Sequence, residues 1–115
     1  MEEETIFEKI LKKEIACQLV YEDEFVIGFH DVNPQAPVHV LVIPKQKIVS
    51  FKNLSECDAN LIGEYVKRVS LVAKKLGLNK DGYRVVFNHG KNGGQTVDYI
   101  HAHILGERKM EWPPG

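Results

Sequence analysis

The chain has 115 residues, with 15 basic and 16 acidic side chains and a formal net charge of −1. This length fits one domain with a hydrophobic core of its own. The near-neutral charge argues against the strong positive field by which proteins attract nucleic acids or anionic membranes, so neither partner is expected.

The N-terminal half predicts one helix and three strands. Thr5 and Glu8 have the spacing of a capping box, and the apolar residues that follow Thr5 keep helical spacing to about Lys13. Two β-prone runs separated by a polar turn predict a hairpin. A third run follows a loop with two prolines and is typical of a buried central strand. These strands are predicted at residues 17–21, 25–29 and 38–43.

The C-terminal half predicts a long helix and two more strands. Ser55 is the predicted N-cap, with Asp58 at the reciprocal position, and Gly77 is the predicted stop. Residues 45–53 are predicted as a polar connection with one helical turn. Strands are predicted at 83–87 and 97–105, with a glycine-rich loop at 88–96 between them. Short connections favour antiparallel pairing, so the sequence predicts one α+β domain, residues 1–115, with a five-stranded, mainly antiparallel sheet.

The cellular compartment is predicted from the cysteines and the N-terminus. Cys17 and Cys57 form neither a CxxC pair nor a zinc spacing, which favours free thiols in a reducing compartment. The acidic start lacks the basic region of a signal peptide, and no apolar stretch is long enough to span a membrane. We therefore expect an intracellular protein, in the cytoplasm or the nucleus.

Two histidines one residue apart on the last predicted strand are the most informative feature of the chain. Alternate residues of a strand share a face, so the pattern places His101 and His103 on one face together with Tyr99. Their Cα atoms would lie about 6–7 Å apart, close enough for both imidazoles to reach one phosphate-sized group. The preceding Gly93 and Gly94 can bring backbone N–H groups close to an anion.

This arrangement suits nucleophilic attack on phosphorus. A neutral imidazole can attack if a hydrogen bond to its other nitrogen fixes the tautomer, and a backbone carbonyl could supply that bond. A second imidazole can serve the leaving group. The sequence therefore favours His101 and His103 as a catalytic pair.

Other interpretations remain open for these residues and their neighbours. Histidines at this spacing also suit zinc, with His39 as a third ligand, but no cysteine or carboxylate pair stands at ligand spacing, so no metal and no cofactor is predicted. His39 is either a buried core histidine or a support for the pair. Asp31 is either a turn cap or a ribose ligand, and Asn88 is either a turn residue or a ligand-facing amide.

Several segments together resemble the Hint branch of the histidine-triad (HIT) family, along nearly the whole chain. The matching segments are Ile6-Phe7-Glu8-Lys9-Ile10, the loop 29–37, Pro37-Val38-His39-Val40-Leu41-Val42-Ile43-Pro44, residues 77–80, Tyr83-Arg84-Val85-Val86-Phe87-Asn88, Gly93-Gly94-Gln95-Thr96-Val97 and the C-terminal segment 110–115. The combination is specific, although a His-x-His pair alone is not.

The resemblance implies a HIT-like fold, a homodimer with one continuous sheet, and a purine nucleoside monophosphate or phosphoramidate as ligand. It implies hydrolysis of nucleoside 5′-phosphoramidates, and of some aminoacyl adenylates, through a covalent nucleotidyl-histidine. By position His101 is the nucleophile and His103 is the phosphate-contacting donor. The implied nucleotide-binding residues are Phe29, His30, Asp31, Val32, Asn88, Gly94, Gln95, Thr96 and Val97. The implied supporting residues are His39, Tyr99 and Trp112, the last contributed by the dimer partner.

The chain departs from the family pattern at three places. The first position of the His-x-His-x-His triad is Tyr99, and Glu107 stands where the family often has a second glycine. Thr5 and Glu8 occupy the places of two zinc-binding cysteines found in many relatives, so that metal site is not expected.

Three functions therefore compete. A phosphoramidase-type hydrolase is the leading hypothesis. An AMP-binding regulatory or protein-docking module with weak catalysis is motivated by Tyr99. A dinucleoside polyphosphate hydrolase of the Fhit type comes third, because the C-terminal segment is Hint-like.

Overall fold

A five-stranded antiparallel sheet forms the centre of the molecule, as a computed structural model describes it for residues 4–115. The strands are β1 (Leu19–Glu22), β2 (Val26–His30), β3 (Val38–Pro44), β4 (Tyr83–Val86) and β5 (Ala102–Gly106). They lie in the order β1-β2-β3-β5-β4, and every neighbouring pair is antiparallel. The predicted α+β fold, the β1–β2 hairpin and the central position of β3 are confirmed.

Two α-helices cover opposite faces of the sheet. Helix α1 (Ile6–Leu11) begins with the predicted capping box, in which Thr5 and Glu8 each accept a hydrogen bond from the other's backbone N–H. It ends two residues before the predicted Lys13. Helix α2 (Ala59–Lys75) ends as expected, with Gly77 in the left-handed region at φ +77°.

The sequence prediction is wrong at the start of α2. Residues Phe51–Glu56 form a 3-10 helix, in which the Ser55 hydroxyl donates to the Lys52 carbonyl instead of capping α2. Cys57 has an extended backbone, which interrupts the helical conformation between the two helices, so Asp58 becomes the N-cap residue of α2. The helical turn predicted within residues 45–53 lies later than expected, since the 3-10 helix overlaps that connection only at residues 51–53.

The core is divided by the sheet into two layers. The larger layer packs α2 against even-numbered residues of β3 and β5, and the smaller one packs α1 against the opposite face. The first contains Val26, Val40, Val42, Ile48, Tyr65, Val69, Val72, Ala73, Leu78, Ile100, Ala102 and Ile104. The second contains Phe7, Ile10, Ile27, Phe29, Leu41, Ile43 and Tyr99.

The predicted strand 97–105 is about half as long in the structure. Tyr99 N–H donates to the Val97 carbonyl at 2.8 Å, and Ile100 N–H donates to the Ile48 carbonyl at 2.7 Å. These bonds take residues 97–101 away from the β3 ladder, so β5 starts only at Ala102. The alternation of faces nevertheless persists, since Tyr99 lies in the α1 layer and Ile100 in the α2 layer.

Within residues 4–115, no helix combines the length and apolar character that crossing a bilayer demands. A short helical turn, α3 (Gly90–Gly93), lies in the glycine-rich loop.

Candidate active site

A cavity of about 820 Å3 opens on the α1 face of the sheet. Apolar side chains of α1, β2 and β3 form one part of its wall, and polar groups converge at another. The lining residues are Ile6, Phe7, Ile10, Ile15, Ala16, Cys17, Gln18, Phe29, His30, Asp31, Val32, Pro34, Leu41, Thr96, Val97, His101 and His103. Both histidines of the predicted pair therefore face one cavity, with ring centroids 4.9 Å apart.

His101 presents a free nitrogen. Its Nδ1 lies 2.7 Å from the Tyr99 carbonyl oxygen. A carbonyl can only accept, so Nδ1 carries the proton and Nε2 keeps its lone pair. Phe7 packs edge-on against the ring at 5.0 Å between centroids, and burial lowers the pKa of His101. The ring is thus held neutral, in the tautomer that a nucleophile requires.

His103 is fixed in the opposite tautomer to His101, through its hydrogen bond with His39. The Gln35 N–H donates to His39 Nδ1 at 3.0 Å, so a neutral His39 carries its proton on Nε2. That Nε2 lies 2.9 Å from His103 Nδ1, which accepts the bond and leaves the His103 proton on Nε2. The His103 Nε2 is buried and has no hydrogen-bond partner among residues 4–115. Its N–H is therefore available to a ligand in the cavity that His103 lines.

Burial keeps this histidine network uncharged. Loss of hydration lowers the pKa of His39, and it lowers that of His103 to about 4, helped by the nearby His101 and His39 rings. The Asp31 carboxylate opposes the shift, with Oδ2 3.5 Å from His39 Nε2. At neutral pH the site therefore offers one lone pair and one N–H side by side.

The protonation of the Asp31, His39 and His103 side chains does not suit a metal ion. Asp31, His39 and His103 offer three ligand atoms within 4.8 Å of one another. A metal would need the lone pair of His39 Nε2, yet the Gln35 N–H places the proton on that nitrogen. Thr5 and Glu8, which stand at the positions implied for two zinc-binding cysteines, instead hydrogen-bond to each other in the capping box.

The structure places the other predicted site residues at different distances from the cavity. Phe29, His30, Asp31, Val32, Thr96 and Val97 line it, and His39 supports it from β3. Asn88, Gly94 and Gln95 belong to the adjoining glycine-rich loop but do not line the cavity. Trp112 is 82% exposed and lies outside the cavity lining.

Tyr99 is a buried core residue whose hydroxyl donates to the Pro44 carbonyl oxygen. Its ring packs edge-on against Phe7. Only its backbone carbonyl acts in the site, through the bond to His101.

Sequence reasoning missed the apolar wall contributed by α1 and the segment after it. Ile6, Phe7 and Ile10 form the wall together with Ile15 and Leu41. The structure shows why this wall escaped sequence reasoning: Ile6 has the helical spacing of a core residue, but it is 49% exposed while Phe7 and Ile10 are buried. An exposed apolar residue next to a cavity is typical of a ligand-binding wall.

Comparison with known proteins identifies the family and agrees with the fold. The HIT domain family model matches residues 12–110. A 14 kDa zinc-binding protein of Zea mays is 50% identical over 113 residues, covering 96% of this chain and 88% of that protein. An uncharacterized HIT-like protein of Synechococcus elongatus is 48% identical over the full length of both chains.

Solved structures give the same assignment. A HIT family hydrolase from Legionella pneumophila superposes with a TM-score of 0.92 at 42% identity, covering 97% of this chain and 100% of that one. A HIT family hydrolase from Clostridium thermocellum gives 0.88 at 42% identity, with 96% of each chain covered. The chain belongs to the HIT family.

Proposed function

We propose that this protein is a nucleotide-binding hydrolase of the Hint type, which cleaves the P–N bond of purine nucleoside 5′-phosphoramidates. The observation that carries the proposal is the complementary protonation of two adjacent imidazoles. His101 has a lone pair on Nε2, and His103 has an unpartnered N–H on Nε2, in the same cavity. A nucleophile beside a donor is the arrangement that phosphoryl transfer through a covalent histidine requires.

The proposed reaction has two steps. His101 Nε2 attacks the phosphorus, the P–N bond breaks with its electron pair on nitrogen, and the amine leaves. One proton enters the site with the anionic substrate, so that His103 is an imidazolium when it gives its Nε2 proton to the leaving nitrogen and becomes neutral. Water then attacks the phosphorus of nucleotidyl-His101 and gives one proton to His103 Nε2. The P–N bond to His101 breaks with its electron pair on Nε2, which restores the neutral His101 and releases the nucleoside monophosphate. The proposal extends to aminoacyl adenylates, because they carry a leaving group on the same phosphorus.

The nucleoside would occupy the apolar part of the cavity. Phe29 and Val32 offer flat and branched surfaces to a base, with His30 beside them, and the Asp31 carboxylate can accept hydrogen bonds from ribose hydroxyls. The fully exposed Val32 gains burial only if a ligand or a partner covers it. Thr96 and Val97, with Asn88, Gly94 and Gln95 of the same loop, are the proposed surroundings of the phosphate.

We further propose that the protein acts as a homodimer. β4 is an edge strand, and its Tyr83 and Val85 side chains are exposed, 36% and 40%. Pairing of two such edges would extend the sheet through both subunits. The exposed Trp112 would then lie at the partner's cavity and contribute to substrate selection.

The decisive experiment is mass spectrometry of protein quenched during turnover of an adenosine phosphoramidate. Wild type is expected to carry an adenylyl group on His101, and His101→Ala is expected to carry none and to lose turnover by several orders of magnitude. His103→Asn provides the contrast, because it keeps the nucleophile and should still form some adduct. Equal turnover in wild type and His101→Ala would overturn the proposal.

Two other outcomes distinguish the remaining candidates. Tight AMP binding without phosphoramidate turnover would favour a regulatory or docking module. Faster cleavage of diadenosine polyphosphates than of phosphoramidates would favour the dinucleoside polyphosphate hydrolase.

A further inference from the structure

Three consecutive residues after β3 each form a hydrogen bond with the segment 89–100, which contains most of the glycine-rich loop and ends just before His101. The Ile48 carbonyl accepts from the Ile100 N–H at 2.7 Å, and the Val49 carbonyl accepts from Gln95 Nε2 at 2.8 Å. The Ser50 hydroxyl is hydrogen-bonded to His89 Nδ1. Ile48 and Ser50 are buried, so this clasp, residues 48–50, is anchored in the core.

Gln95 is the middle attachment point, and it also closes the loop on itself. Its backbone N–H donates to the Gly90 carbonyl at 3.0 Å, and its Oε1 accepts from the Gly90 N–H at 3.2 Å. Its Nε2 donates to the carbonyls of Val49 and Val97, at 2.8 and 3.0 Å. All three N–H donors of Gln95 are therefore occupied inside the protein, and none is left for a phosphate.

The next two residues have the opposite character. Within residues 4–115, no hydrogen bond occupies the backbone N–H groups of Thr96 and Val97 or the Thr96 hydroxyl. Both residues line the cavity that holds His101 and His103. Within this loop, Gln95 fixes the backbone through its hydrogen bonds, whereas Thr96 and Val97 have donors that can bind a ligand.

We propose that Gln95 is a positioning residue, which fastens the glycine-rich loop to the clasp so that the Thr96 and Val97 donors are presented to a phosphoryl group. The inference deepens the proposed function and rests on it for the identity of the ligand. Gly90 and Gly94 both have positive φ, +66° and +79°, in a loop that otherwise has many accessible conformations. Fixing such a loop before binding removes an entropy cost that the ligand would otherwise have to offset.

The test compares Gln95→Met with Asn92→Ala, a control at an exposed position of the same loop. Methionine keeps the length of glutamine and loses its hydrogen bonds. In the ligand-free protein, amide hydrogen exchange at residues 90–97 is expected to accelerate about tenfold or more in Gln95→Met and to stay unchanged in Asn92→Ala. AMP affinity is expected to fall about tenfold, whereas adenosine affinity, which lacks the phosphate contribution, is expected to stay within about twofold.

A second variant and a wild-type measurement complete the test. Gln95→Glu keeps an oxygen acceptor for the Gly90 N–H but cannot donate to Val49 and Val97, so it should share the loop phenotype. In wild type, the Gln95 N–H should already be protected without ligand, and AMP should add protection at Thr96 and Val97. This measurement remains informative if either variant fails to fold.

The proposal is overturned if loop exchange is unchanged in Gln95→Met while AMP affinity falls, because that result would make Gln95 a direct ligand. It is also overturned if AMP and adenosine weaken equally. Failure of the proposed function reads differently. Wild type would then bind no AMP, or would bind AMP without cleaving a phosphoramidate, and in both cases the effect of Gln95→Met on exchange in the free protein would still be seen.

Discussion

Stability should fall on mild acidification, because three neutral imidazoles share one buried network. Burial lowers the pKa of His39, His101 and His103 below the ordinary histidine value of 6.5. In the unfolded chain these rings regain a normal pKa, so near pH 5 the unfolded state binds more protons than the folded state. The free energy of unfolding must then decrease as pH drops below about 6.5, and it continues to decrease down to the lowered folded values.

The size of the effect can be worked out for His103, whose folded pKa is about 4. Proton linkage between 6.5 and this value gives a loss of about 2 kcal/mol from pH 7 to pH 5. The ring is only partly buried, and contact with solvent reduces the figure to about 1 kcal/mol. His39 and His101 add losses of the same sign.

The assay is urea unfolding at pH 7, 6 and 5, at one fixed protein concentration, for wild type and His103→Asn. Asparagine lowers the absolute stability, but it removes the titrating ring, so the stability of the variant should decline less between pH 7 and 5, by about 1 kcal/mol. Identical declines in the two proteins would refute the argument that His103 is held neutral by the fold.

Three other outcomes follow from the same structure. Replacing Glu107, which is held at φ +64°, by glycine should raise the free energy of unfolding by about 1 kcal/mol in urea titrations, since a side chain is strained in that conformation. Tyr99→Phe should cost about 1–3 kcal/mol, because the buried Pro44 carbonyl loses its donor, yet phosphoramidate turnover should stay within a few-fold of wild type, because the His101 partner is a backbone carbonyl. The kcat/KM for a phosphoramidate should rise as pH falls from 8 toward 6.5, because the leaving amine needs a proton, and it should stop rising only below that range, as His101 becomes protonated, whereas a rise that already ends above pH 7 would contradict the lowered pKa.

Much of the architecture follows from local sequence signals. The capping box at Thr5 and Glu8, the stop at Gly77 and the β-prone run of β3 each depend on residues close together in the chain, and each is confirmed. Antiparallel pairing follows from the short connections. The pairing of β3 with β5, with Leu41 opposite His103, brings His39 next to the histidine pair, a position that the sequence alone left open.

The errors arise where a distant segment competes for the backbone. Residues 97–101 have the alternation of a strand, and they keep it, but the Ile48 carbonyl takes the Ile100 N–H out of the β3 ladder. Ser55 has the spacing of an N-cap, but its hydroxyl donates to the Lys52 carbonyl instead of capping α2. Periodicity predicts which face of the sheet a side chain occupies, but it does not predict which carbonyl accepts a hydrogen bond from the residue.

The chemistry of the site depends on the same kind of backbone contact. The Tyr99 carbonyl gives His101 a lone pair toward the cavity, and the Gln35 N–H, acting through His39, gives His103 a proton there. Reversing either contact would leave two lone pairs or two protons, and the pair would then lack either a donor or a nucleophile. In the proposed reaction, residues 101 and 103 therefore supply the two imidazoles, while main-chain groups from two different segments decide which histidine attacks and which one donates.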